Sequence, residues 1–477
     1  MFINTRQIVP NDFWWHMANG REILNLGQIS TVDVYSYTMP GSPYLSYQMF
    51  WLMDIGLYGL FSLGGPELVL FVHSLIITGT YFLVLLLCWQ TSRKWGVVTV
   101  GLIFAITLGI YTWNVRPQAI SFLLGMIFLY AIYAYRMRPN FAWLILFPIL
   151  MLVWVNSHGT FVIGIVLIGI WLLDEFWKIL FAHRTRVFRY LKPLLAPGTA
   201  LLLTIGAGLS NQLRLGIFTY LGTMLGNPVN QKYITEWAPA SFDSPIGLIF
   251  ILGFFLTAVV FAISPRRPSF FEMTFFLTFA LLGFATTRGI IWYGLFIAPI
   301  LAAHLSEITS VYSRNREKAG IRSESKLFNL CLLGLLVFLS IAMLPWFRSV
   351  LPKSIDRGNL FTKDTPIEAV NYLLAEKPAG YLFNDSVFGS YLIWAAYPEY
   401  KVFADPRVEL YDPEIWMDYL WIINAAPGWD EKLDGYKVQT LLLDPRKQGP
   451  LIKAVEESDQ WRLAFQDKAA LIYLHNK

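Results

Sequence analysis

Seven side chains in this sequence are of types that move protons or hold anions, and each sits in a short polar break between apolar runs. Asp12, His16 and Asp33 fall in a polar stretch near the start that runs to about Tyr47. Arg116 lies in Asn114-Val115-Arg116-Pro117-Gln118, and His158 in Asn156-Ser157-His158-Gly159. Glu236 lies in Thr235-Glu236-Trp237, and Arg288 in Thr286-Thr287-Arg288-Gly289. A carboxylate such as Asp12 can take the proton of a hydroxyl nucleophile. A guanidinium fork matches a phosphate with two parallel N–H donors. His16, His158 and Glu236 are of types that hold the remaining polar groups of a ligand, with Asp33 a second candidate base.

Each of these has a plainer reading beside the chemical one. Asp12 stands where it would cap the N-terminus of a helix over 13–26, and Asp33 follows Ile29-Ser30-Thr31 in a context that suits an Asx turn. His16 suits the membrane interface, and the two arginines suit lipid headgroups or helix C-caps. Asp405-Pro406-Arg407-Val408-Glu409, far along the chain, reads as a sugar-binding edge or as an Asp/Arg pair stitching a turn. The sequence leaves these alternatives open. It contains no P-loop, no dinucleotide fingerprint, no HExxH and no Cys/His metal spacing, which argues against a nucleotide-driven pump. No cofactor is called for with certainty. A divalent ion on Asp12 stays possible, although no second carboxylate at metal-ligand spacing accompanies it in that segment.

The elements that position these residues are mostly apolar. Of 477 residues 56% are hydrophobic and 14% charged, against roughly 25% charged in an average globular chain. Apolar spans are expected at 67–89, 96–113, 118–136, 141–156, 160–177, 194–209, 245–264, 269–287, 290–308 and 327–346. The segment from Tyr47 to Ser62, interrupted by Asp54, Gly56 and Gly59, reads as a helix lying at the interface. Cys88 and Cys331 both fall inside spans, so no disulfide framework is indicated. Basic residues separate by loop. One set holds Arg93 and Lys94, Arg136 and Arg138, Lys178 to Lys192, Arg266 and Arg267, and Arg314 to Lys326; the other holds Arg116, Arg214, Lys232 and Arg288. The positive-inside rule makes the first set cytoplasmic and the second outward. The net charge of +5 is thus topology and not a nucleic-acid surface. An outward polar loop at residue 11 with no span before it leads us to expect a first membrane helix upstream.

Beyond about Lys353 the composition turns to that of a soluble α/β domain. Strands are expected at 380–384, 401–404 and 438–443, helices near 365–375, 388–396, 413–425 and 448–458, and a terminal hairpin over 461–474. The expected fold is mainly α: a polytopic transmembrane helix bundle with a small C-terminal extracytoplasmic α/β domain. Its parts are a first outward loop over 1–65, about ten spans over 66–348, and the soluble domain over 349–477.

Asp12-Phe-Trp-Trp-His16, Gly20-Arg-Glu-Ile-Leu24, Asp33-Val-Tyr-Ser-Tyr-Thr38, Trp113-Asn-Val-Arg-Pro-Gln118, Trp154-Val-Asn-Ser-His-Gly159 and Phe403-Ala-Asp-Pro-Arg-Val-Glu-Leu-Tyr411 resemble bacterial polytopic membrane proteins of the GT-C glycosyltransferase superfamily. That superfamily includes protein mannosyltransferases, the lipid A aminoarabinose transferase and oligosaccharyltransferase catalytic subunits. The resemblance covers nearly the whole chain. It implies an integral membrane enzyme with its site between the bilayer and the first outward loop. A polyprenyl-phosphate-linked sugar would be the donor, and a glycan, lipid or protein the acceptor. It implies an acid early in that loop as the catalytic residue: Asp12 by position, Asp33 second. A transporter or flippase of lipid-linked sugars, or a non-catalytic envelope scaffold, are the readings from other classes.

Overall fold

The structure, a computed structural model, describes residues 6–182, 191–226, 235–313, 326–342, 344–350 and 360–476. Much of the basic set expected at one membrane face, in 183–190 and 314–325, lies outside them, as do Lys232 and Lys353. The chain is mainly α. Among the described residues six helices are long and apolar enough to cross a membrane, and the protein is an integral membrane protein.

Helix α1 (Phe13–Leu26) ends at Gly27, whose φ of 68° is the left-handed turn that glycine adopts without a Cβ clash. Helix α2 (Ser46–Ser92) is broken at Gly64 and Gly65, immediately before Pro66. The kink separates the stretch read as interfacial from the span that follows. Helices α3 (Trp95–Gly109), α4 (Gln118–Met137), α5 (Phe141–Val155), α6 (Val162–Ala182) and α7 (Leu195–Gly208) come next. A short α8 (Gly216–Gly226) occupies part of the long loop, and α9 (Pro245–Ile263), α10 (Phe270–Ala285), α11 (Ile290–Ser313) and α12 (Lys326–Ala342) complete the bundle. All ten expected apolar segments are helical. Their form follows from the solvent: lipid offers no hydrogen-bond partners, so the backbone must satisfy itself within each segment.

The bundle is centred on α11, which packs on α2, α3 and α10. Residues 290–302 of α11 are almost wholly buried, whereas α12 exposes Leu327, Leu333, Leu336 and Phe338. The sequence shows both as equally apolar; the difference lies in whether protein or lipid surrounds them. Loops alternate between the two ends as the basic residues suggested. At one end Arg136 and Lys178 pair with Asp174, and Lys94 donates to the carbonyl of Ser306. At the other, Leu52 N–H donates to Asn156, and Asn211 donates to Gln48 and Asn156.

The C-terminal domain carries α13 (Ile367–Glu376), β1 (Tyr381–Asn384), α14 (Ser386–Ala395), α15 (Pro413–Ile423), α16 (Trp429–Gly435), β2 (Val438–Leu443), α17 (Gly449–Glu456), β3 (Trp461–Gln466) and β4 (Leu471–His475). Its strands run in the order β1-β2-β4-β3, with β1 and β2 parallel and the other two pairs antiparallel. The segment 401–404, expected as a strand, is extended but stands outside this sheet. Val402 N–H donates to Tyr35 O and its carbonyl accepts from Tyr37 N–H, while Phe403 N–H donates to the Asn384 side chain. Its ladder partner is the first loop, which no local pattern announces.

First loop and C-terminal domain therefore share one core, in which Trp15, Tyr35, Tyr44 and Tyr47 pack with Leu382, Phe388, Val402 and Phe403. Trp14 and Trp15, expected at the bilayer interface, are 2% and 4% exposed. Trp14 packs instead on Phe361, Tyr391 and Trp394.

At the centre of this seam lies Arg407, fully buried. It donates to Asp33 Oδ1 at 2.6 Å and to Asp405 at 2.8 and 2.6 Å, and also reaches the Tyr47 hydroxyl. Tyr411 closes the group on Asp405 at 2.5 Å. Burial pushes the Asp33 carboxyl up, but Arg407 and the Ser36 hydrogen bonds outweigh it and leave it below its ordinary value. Removing one partner from such a buried ionic group strands the others in a medium that cannot solvate them. We expect Arg407→Met to lower stability by about 3–5 kcal/mol, with Asp33→Asn added to it recovering part of the loss. Thermal melting of the detergent-solubilised protein measures both; an Arg407→Met protein as stable as wild type contradicts the assignment.

Candidate functional site

Four of the seven residues picked from the sequence meet at one end of the bundle. Asp12 begins α1, Arg116 lies between α3 and α4, Glu236 sits in a 3-10 turn (Thr235–Trp237), and Arg288 lies between α10 and α11. Arg116 Nη1 donates to Glu236 Oε1 at 2.5 Å. Its Nε lies 3.4 Å from Asp12 Oδ2. Arg288 grips the other oxygen of Glu236 with Nε and Nη2, both at 2.7 Å, and rests its guanidinium on the Trp237 ring. The loop is fixed to the bundle by Thr287, whose hydroxyl donates to Glu236 O and whose N–H donates to Ala238 O. Glu236 thus holds two cations side by side.

Asp12 does not cap α1. Its own backbone is helical and its carboxylate makes no cap hydrogen bond. The side chain, 24% exposed, is turned toward Arg116. The charges reinforce one another. Burial opposes ionisation of Glu236, but Arg116 and Arg288 outweigh it and hold the carboxyl at about 2. Burial likewise opposes the charge on Arg116, and Asp12 and Glu236 outweigh it. Both groups remain ionised across the physiological range.

The histidines take separate places. His16 Nδ1 contacts Asp54 Oδ1 at 2.6 Å, and Asn19 donates to Asp54 Oδ2 at 2.5 Å. This places His16 in a buried trio where α1 crosses α2. Gly20 permits the crossing, because a Cβ there would lie 2.1 Å from the Asp54 carbonyl oxygen. His158 Nδ1 is bonded to Thr160, and its ring packs on Phe50, which also meets His16 edge-on. Burial lowers the His158 pKa most, with Arg288 adding to it, to about 3. The ring is neutral at working pH. Asp33 is set apart from the cluster altogether: fully buried, it spends its oxygens on Arg407, Tyr47 and Ser36 N–H. A base needs access to its substrate, and this carboxylate has none.

Four further side chains were not picked out beforehand. Glu409 accepts from Tyr44 Oη at 2.6 Å and from Ser46 Oγ at 3.3 Å, and Tyr220 packs over Gly159 nearby. Only the carboxylate of Glu409 carried a signal, as part of the Asp405–Glu409 motif. On its far side Arg116 also borders a cleft of about 480 Å³ between bundle and C-terminal domain, lined by Asn11, Asn114, Asp444 and Arg446 among others. Among the described residues no group of three or more His, Cys, Asp or Glu could hold a metal ion. Asp12 and Glu236 are both committed to Arg116, so this donor set does not fit a resident cation.

Acidification tests the histidine. An unfolded imidazole titrates near 6.5 and the folded one at about 3, so stability is level above pH 6.5 and falls as pH drops below it. Glu236 joins this loss only below 4.5. His158→Gln is therefore expected to flatten the fall in melting temperature between about pH 7 and about pH 5; an unchanged fall contradicts a neutral buried ring.

No family model and no curated protein matches the sequence. Among solved structures, the chain is similar over 98% of its length to 70% of an oligosaccharyltransferase from Archaeoglobus fulgidus, crystallised with Zn and sulfate, at 12% identity and a TM-score of 0.49. It is similar over 99% of its length to ArnT from Cupriavidus metallidurans. In the apo state 94% of that chain is covered, at 14% identity and a TM-score of 0.49. Bound to undecaprenyl phosphate, 95% is covered at 13% identity and a TM-score of 0.46.

Proposed function

We propose that the protein transfers a sugar from a polyprenyl-phosphate-linked donor to an acceptor hydroxyl, on the extracytoplasmic face of the plasma membrane and with inversion at the anomeric carbon. The observation that carries this reading is the convergence of Asp12, Arg116, Glu236 and Arg288 from four separate segments at one end of a membrane bundle. Loops at that end carry few basic residues among those in the sequence, which favours the outward side.

In this reading Asp12 takes the proton of the acceptor O–H as its oxygen bonds to the anomeric carbon. The bond from that carbon to the phosphate oxygen breaks, and its electron pair leaves with the polyprenyl phosphate. Arg116 and Arg288, already oriented by Glu236, meet the charge that develops there. Because they are positioned before the reaction, little reorganisation is needed when the charge appears. His158 supplies a neutral hydrogen-bonding ring beside the sugar. No metal enters the scheme.

Membranes carrying the protein, supplied with a panel of radiolabelled undecaprenyl-phosphate sugars, test this. We expect transfer in wild type and a loss of about 10²–10⁴-fold in Asp12→Asn at equal protein level. Arg288→Ala is expected to lose about 10²–10³-fold. Full transfer by Asp12→Asn would overturn the assignment of the base, and no transfer from any sugar would overturn the reading itself.

A further inference from the structure

We propose that the cleft between the bundle and the C-terminal domain binds the acceptor, and that the acceptor is a neutral, hydroxyl-rich glycan held by Lys447 and the side-chain amides of Asn11 and Asn114. The inference rests on the transferase reading above and names its second substrate.

The cleft, about 480 Å³, lies where the first loop, the loop between α3 and α4 and the turn after β2 meet. Its size falls within the roughly 300–1,000 Å³ of pockets that enclose a small ligand. Two of its lining residues adjoin the candidate base. Asn11 immediately precedes Asp12, and Arg116 lines the cleft while its Nε stands 3.4 Å from Asp12 Oδ2. That Nε is buried and donates no hydrogen bond. A hydroxyl bound at this end of the cleft lies beside Asp12, and the rest of its molecule extends along the C-terminal domain.

The polar groups of the cleft are held in place but not used. His73 Nε2 donates to Asn114 O at 3.0 Å, and Ser390 of α14 donates to Asn11 O. One asparagine backbone is thereby pinned to the bundle and the other to the C-terminal domain. Neither side-chain amide makes a hydrogen bond among the described residues. On the facing wall Lys447 Nζ lies 3.6 Å from Asp444 and 4.0 Å from Asp385, beyond hydrogen-bond distance of either.

These groups set the class of ligand. Each cation of the lining has a carboxylate at hand: Arg116 has Asp12 and Glu236, Arg446 has Asp444 and Asp364, and Lys447 has Asp444. Charge is matched within the walls, so the ligand need bring none. What remains is an ammonium that donates and two amides that both donate and accept. A sugar hydroxyl also does both, and a run of neighbouring hydroxyls satisfies several such groups at once. An extended polypeptide draws affinity from pairing its backbone with a sheet edge, but neither edge strand, β1 or β3, lines this cleft.

The test uses the full chain in membranes with the panel of radiolabelled undecaprenyl-phosphate sugars. The acceptors are three neutral tetrasaccharides (maltotetraose, cellotetraose and chitotetraose), tetragalacturonate, and a serine- and threonine-rich peptide. We expect transfer to a neutral tetrasaccharide. Lys447→Met should raise its KM by about 10–100-fold, the loss of one hydrogen bond from a charged group, and Asn114→Leu by about 3–10-fold. Binding of undecaprenyl phosphate should stay unchanged in both, and Lys447→Arg should recover part of the transfer. A role confined to folding would lower protein level and donor binding together. Val387→Trp, which fills the cleft from the C-terminal wall, should raise the same KM and serves if Lys447→Met does not accumulate. Kinetics of these variants equal to wild type, or transfer to the peptide or tetragalacturonate alone, overturns the proposal while leaving the transferase reading intact. Donor binding lost in Lys447→Met assigns the cleft to the donor and overturns it too. Wild type that releases sugar to water but modifies no acceptor overturns the glycan assignment; wild type that does neither overturns both readings.

Discussion

Arg407, buried between Asp33 of the first loop and Asp405 of the C-terminal domain, is the contact on which the rest of the architecture depends. Desolvating a guanidinium and two carboxylates is expensive, and well-packed apolar residues would often serve stability as well. What the ionic group adds is registration. Apolar surfaces slide at small cost, whereas four hydrogen bonds from one guanidinium are satisfied in a single pose. The first loop is thereby held against the extended segment at Val402, and the C-terminal domain is held over the end of the bundle.

A second ionic group stands beside it with a different character. Asp12, Arg116, Glu236 and Arg288 alternate in sign, and Arg288 and Glu236 retain about a third of their side-chain exposure. The Arg407 group is sealed; this one is reachable. Function requires that contrast, because a site must be rigid enough to orient charge and open enough to admit a ligand. The trio of His16, Asp54 and Asn19 forms a buried floor where α1 crosses α2, and it makes the position of Asp12 at the start of α1 reproducible.

Much of this was legible in the residues. Ten apolar runs became ten helices because lipid leaves the backbone no other solution, and β2 fell at the expected 438–443. The polar breaks holding Asp12, Arg116, Glu236 and Arg288 also stood out, since charge at the end of an apolar run is costly without a partner. What sequence alone could not show was partnership across distance. Asp33 and Asp12 look alike as loop carboxylates, yet Asp33 is captured by a residue 374 positions away. Segment 401–404 has the composition of a sheet strand, but its partner is the first loop. Trp14 and Trp15 carry an interfacial composition and are instead covered by a domain that local pattern cannot place. Each miss arose where tertiary contact, and not local preference, decided the outcome.

The central claim is that Arg116 and Arg288 form a cation pair that receives the phosphate of a polyprenyl donor. Equilibrium binding of undecaprenyl phosphate to the purified, detergent-solubilised protein tests it most directly, comparing wild type with the Arg116→Gln, Arg288→Gln double variant at equal fold and level. The account predicts saturable binding by wild type, weakened about tenfold or more in the double variant. Equal binding by the two proteins would contradict it.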